Sequence, residues 1–196
     1  MKTMSINIVT APEHRYFPPK SLKVFLAGGI CNCIQWQEMI IKKFLNDGNE
    51  LDDTCRPKIR LSEDYKDLYI LNPRRVDWLD KPGEDVKQIE WEYDMIEKCD
   101  VFTMYFAGGE SDQPICMYEL GRNIERMKQK FPKTWHDRII ITCDESYKRL
   151  KDVLVQTRLA TDGLIEPFVV SSAEESIDVH YHAIQDKLKY IYLEQL

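Results

Sequence analysis

Two glutamates carry the chemistry this sequence offers. Glu92 sits in "EDVKQIEWEYDMIEKC" and Glu119 in "SDQPICMYELGRNIERM", each within a helical pattern. In the first segment Val86, Ile89, Tyr93 and Ile96 read as the apolar stripe facing the core, which puts Glu92 on its flank. A carboxyl there is partly desolvated, so its pKa rises and it can act as a general acid near neutral pH. The competing reading is a buried ion pair with a nearby arginine, and position alone leaves both open. In the second segment Cys116, Leu120, Ile124, Met127 and Phe131 form the stripe, so Glu119 points away from the sheet. It nevertheless lies near the helix start, where the N-terminal dipole stabilises a carboxylate. An ionised carboxylate opposite a protonated one is the pairing that cleaves glycosidic bonds.

The same helix start holds two backbone signals. Pro114 begins a helix without losing a needed N–H. Gly121 costs about 1 kcal/mol relative to alanine inside a helix. Close helix packing is the expected reason for it.

A frame must bring these side chains together. Apolar runs in "KVFLAGG", "LYILNPRR", "DVFTMYF", "RIIITCD" and "EPFVVSS" read as strands, with an early strand in "SINIVT". Between them lie helical patterns, first "IQWQEMIIKKFL" with Trp36, Met39, Ile40 and Phe44 on one face, last a long C-terminal helix. Strand and helix alternation predicts an α/β fold with a mainly parallel sheet covered on both faces. No repeat or linker divides the chain, so residues 1–196 are expected to form one domain.

In open sheets of this kind ligands sit beyond the carboxyl ends of the strands. The residues there are Gly28 and Gly29, then Asn72 to Arg75 with Asp77 and Trp78, then Ala107 to Gln113, which includes Ser111 and Asp112. The glycines allow a tight turn and close backbone approach to a ligand. Arg74 or Arg75 would hold a phosphate or orient an acid by paired hydrogen bonds, unless local carboxylates or solvent occupy them. Asp77 and Trp78 would line the same cleft. A G-x-G-x-x-G fingerprint and a G-x-x-x-x-G-K-S/T loop are both missing, which argues against NAD and ATP.

Composition narrows the setting. The chain is 43% hydrophobic and 31% charged with a net charge of -6, which suits a globular protein and disfavours nucleic-acid partners. No apolar run approaches the roughly 20 residues that span a bilayer, and the first residues lack a secretory h-region. A cytoplasmic protein without membrane contact is expected, with its six cysteines as reduced structural thiols. His180 and His182 lie two apart in "VHYH", on different sides of a helix, so no metal is expected.

"VFLAGGI", "NPRRVDW", "QIEWEYDMIEKCDVFTMYF" and "PICMYELG" together resemble the nucleoside 2-deoxyribosyltransferase-like family, over about residues 23–144. The resemblance implies a Rossmann-like, flavodoxin-type three-layer sandwich without cofactor. It implies chemistry at the N-glycosidic bond of a nucleoside or nucleotide, with a free nucleobase as acceptor. The glutamate of the "ELG" motif, here Glu119, would be the nucleophile that forms a covalent glycosyl-enzyme. The acidic residue eight positions before Asp100, here Glu92, would serve the leaving base. The family's better-known transferases carry aspartate where Glu92 stands and tyrosine where Phe25 stands, and phenylalanine cannot reproduce that hydroxyl's hydrogen bond. Relatives that hydrolyse nucleoside 5′-monophosphates bind phosphate through hydroxyls and arginines, for which Ser111, Arg74 and Arg75 are the candidates. A nucleotide-binding protein without turnover is the third reading. The resemblance also implies a homo-oligomer whose neighbouring subunits complete the site.

Overall fold

The alternation seen in the sequence becomes a single parallel sheet in the computed structural model, which describes residues 5–30, 32–49, 67–75, 81–109 and 111–193. Its strands are β1 (Ser5–Thr10), β2 (Ser21–Gly28), β3 (Asp67–Asn72), β4 (Val101–Phe106), β5 (Ile139–Asp144) and β6 (Phe168–Val170). The helices are α1 (Trp36–Asn49), α2 (Glu84–Lys98), α3 (Pro114–Lys130), α4 (Leu150–Ala160) and α5 (Ala173–Leu193). Strand order is β1-β3-β2-β4-β5-β6, and every pairing is parallel. Without β1 this is the flavodoxin-like order, so the expected Rossmann-like α/β fold is what forms, with one added edge strand.

Period-two alternation divides each inner strand between two apolar cores. Phe25, Leu71, Phe102 and Met104 face the α2, α3 and α4 side, packed with Trp91, Ile124 and Met127. Val24, Ile70, Tyr105 and Ile140 face α1 and α5, packed with Trp36, Phe44 and Tyr181. Burial on both faces explains why the strands read as continuous apolar runs. Gly28 and Tyr105 are paired in register at the carboxyl ends of β2 and β4. From β2 the chain crosses to β3 on one side and later to β4 on the other. That reversal opens a crevice between β2 and β4.

The expected stripe of α2 is corrected. Val86, Ile89 and Tyr93 are 50%, 64% and 54% exposed, while Ile96 is buried. The inward face is instead Glu84, Gln88, Trp91 and Met95, together with Ile96. Two polar residues can turn inward because they find partners there. Gln88 donates to the Pro73 carbonyl at 2.6 Å, and Glu84 accepts from Arg75 at 2.9 Å. Trp91 adds the largest apolar surface, and its Nε1–H reaches the Glu13 carbonyl at 2.6 Å. The rotation keeps Glu92 at the edge of the buried face, four residues after Gln88.

Candidate active site

The two glycines after β2 are required by what lies behind them. Gly28 has φ +145°, and a Cβ there would stand 2.5 Å from the Tyr105 carbonyl oxygen. A Cβ on Gly29 would meet the Gln113 side chain at 2.7 Å. Gly28 therefore excludes larger residues, because its turn lies directly against the β4 backbone, whereas at Gly29 the Cys33 and Gln113 side chains would have to shift.

A cavity of about 240 Å³ opens at this crevice. β2 and its turn supply Phe25, Gly28 and Gly29, α2 supplies Glu92, the chain entering α3 supplies Ser111 and Gln113, and α3 itself supplies Glu119. Phe25 brings an apolar ring, stacked on Phe102 at 6.3 Å and tilted against Trp91. Glu119 is not a surface residue. It lies three positions after the buried Cys116 and one before the buried Leu120, at the flank of the α3 stripe that borders the cavity.

Burial in this cavity raises the pKa of both carboxyls. Glu119 is pushed up to about 7, mainly by desolvation and further by the charge of Glu92, against a smaller opposing pull from Arg122. Glu92 is raised by desolvation and held back by the hydrogen bond its Oε1 accepts from Gln88 at 2.7 Å. Two carboxyls in one cavity resist double ionisation, so the pair retains a proton towards neutral pH. The arrangement can therefore present one anion and one acid to the same ligand.

The other expected residues fall elsewhere. Asn72 is buried and closes the turn after β3, accepting from the Arg74 N–H at 3.0 Å and donating to the Arg74 carbonyl at 3.3 Å. Arg74 spans the loop after β2, with Nε donating to Gln37 at 3.1 Å and a terminal nitrogen to the Ile30 carbonyl at 2.9 Å. Arg75 pairs with Glu84. Asp112 is exposed, 3.7 Å from Lys148, and borders a separate surface depression with Arg149 and Asp152. Asp77 and Trp78 lie outside the described residues, as do Cys31 and Cys55. Gly121 faces open space, so close packing does not account for it.

Two glutamines make contacts that the sequence did not assign to them. Gln88 contacts Glu92, and Gln113 caps α3 from the left-handed region at φ 43°, with its Nε2 donating to the Ala107 carbonyl at 2.8 Å. Gln88 stood inside the quoted "QIEWE", so the motif signalled it, whereas nothing local distinguishes Gln113.

A family model described as "nucleoside 2-deoxyribosyltransferase like" matches residues 21–131, more than half of the chain. The chain belongs to the nucleoside 2-deoxyribosyltransferase-like family. The match runs from β2 through α3, so it contains every residue named as lining the cavity and leaves β1, β5, β6, α4 and α5 outside. No curated protein matches this member of the nucleoside 2-deoxyribosyltransferase-like family. Among its described residues no helix is long and apolar enough to cross a membrane, and no group of three His, Cys, Asp or Glu residues could hold a metal ion.

Proposed function

We propose that this protein transfers the deoxyribosyl group of a nucleoside or nucleotide between nucleobases through a glycosyl ester on Glu119. The Glu119 carboxylate attacks C1′, and the C1′–N bond breaks with its electron pair leaving on the base. Glu92 gives its proton to that base and becomes a carboxylate. An incoming nucleobase then attacks C1′, Glu92 takes the proton released, and the Glu119 carboxylate is restored. The observation that carries this reading is the convergence of Glu92 and Glu119 on one cavity, with burial holding a proton on the pair. Membership of the family supports it.

Chromatography of reactions with deoxynucleosides and their 5′-monophosphates, with and without a second nucleobase, tests it. A new nucleoside that requires the second base, absent with Glu119→Ala, is the expected result. Free base released without an acceptor supports the hydrolase reading instead, for which the Ser111 side of the cavity offers a hydroxyl. Substrates that survive intact but bind would favour a nucleotide-binding protein.

The proposal extends to a homo-oligomer. Val86, Ile89 and Tyr93 of α2 and Ile115 and Tyr118 of α3 are all at least half exposed, and Ile115 also lines the cavity. A second copy covering these helices would shield that apolar surface and close the site. Sedimentation should show an assembly that Ile89→Asp dissociates. A reducing, cytoplasmic setting suits the free thiols of Cys33, Cys99, Cys116 and Cys143.

A further inference from the structure

Gln88 touches the site without lining the cavity. It is 7% exposed, and its Nε2 lies 2.6 Å from the Pro73 carbonyl oxygen and 2.7 Å from Glu92 Oε1. A backbone carbonyl only accepts, so the amide atom facing Pro73 must be the nitrogen, which fixes the orientation of the side chain. Both Nε2 protons are then committed, one to Pro73 and one to Glu92. The Gln88 Oε1 is buried without a partner among the described residues.

We infer that Gln88 is a positioning residue that assigns the proton of Glu92 to one oxygen. The inference rests on the proposed role of Glu92 as acid. An amide N–H can only donate, so Glu92 Oε1 is an acceptor whether the carboxyl is charged or neutral. The unprotonated oxygen of a neutral carboxyl is the stronger acceptor, so this bond favours the proton on Oε2. In the transfer step it passes from Oε2 to the departing base, leaving a carboxylate that Gln88 still donates to. The Pro73 carbonyl, just beyond β3, anchors this arrangement to the sheet, so the acid is oriented by the frame and not by α2 alone. The same bond stabilises the carboxylate and offsets part of the rise that burial imposes.

Gln88→Met tests this, because methionine keeps the volume and removes both donors along with the unpartnered acceptor. Carbon-13 carboxyl titrations of unliganded protein should show Glu92 moving up by about one pH unit in the variant. Glu119 should move down in parallel, because a neutral Glu92 no longer opposes its ionisation. Unmoved titrations in a folded variant would overturn the inference. Should the variant fail to fold, the Gln88 side-chain amide signals of wild-type protein decide. They should shift along the Glu92 titration curve, and signals that stay still across it would overturn the inference. Neither readout requires turnover, so inactive wild-type protein would sink the proposed reaction without affecting this result. In active protein, Gln88→Met should lower kcat by about tenfold or more with KM little changed, and the basic limb of the pH profile should move up.

Discussion

Glu92 and Glu119 reach one cavity from two different helices, and the charge on the first helps raise the pKa of the second to about 7. Neutralising Glu92 should therefore lower the Glu119 pKa. A carboxyl titration of Glu92→Gln is the measurement, and an unchanged Glu119 would show that the two are uncoupled.

Activity should depend on the pair as a unit. Glu119→Ala is expected to reduce transfer on the order of a thousandfold or more, and Glu92→Gln by about a hundred- to ten-thousandfold. Turnover requires the singly protonated pair, so it should fall on the acid side as the pair binds a second proton and on the alkaline side as it loses the last one. Initial rates across pH for wild type and both variants check this.

Stability should respond to pH through two groups of opposite sign. His180 is fully buried beside Trp36 and Tyr105, and burial depresses its pKa from 6.5 to about 4. The unfolded chain binds this proton first, so His180 stabilises the fold above pH 6.5, and about 3 kcal/mol is lost as pH falls through 4. Glu119, raised from 4.5 to about 7, acts the other way. Its contribution is present below 4.5 and lost as pH rises through 7. Urea denaturation of Glu119→Gln should show stability rising more steeply between pH 5 and 7 than in wild type, roughly the span where the two groups oppose each other.

Arg74 should matter for the fold of the β2 loop. Its bonds to Gln37 and to the Ile30 carbonyl bind that loop to the end of β3. Arg74→Ala should cost about 2–3 kcal/mol, and Arg74→Lys should recover only part, because one ammonium cannot span the same acceptors. Denaturation midpoints measure the loss. An unaltered preference between nucleosides and their 5′-monophosphates is expected alongside it.

Gly121→Ala should stabilise the protein by up to about 1 kcal/mol, because a methyl group there meets open space and removes the helix cost of glycine. Thermal unfolding checks it. Lower stability would point to a contact made only in an assembly.

The sheet was legible in the sequence because strands buried on both faces read as near-continuous apolar runs, and the central residues of β2 to β5 do so. The ends of β2 and β4 were legible too, since a glycine pair and a proline-led helix are local backbone requirements. The inward face of α2 was not. Pattern reading sends polar residues outward, and only the tertiary structure supplies Pro73 and Arg75 as the partners that let Gln88 and Glu84 turn in. Arg74 shows the same limit: its type fitted phosphate recognition, but its described acceptors include Gln37 and the Ile30 carbonyl, more than thirty positions away. Sequence determined which groups were present and where strands end. Folding decided which of them share a cavity, because carboxyl burial and hydrogen-bond partners depend on distances in space and not on spacing along the chain.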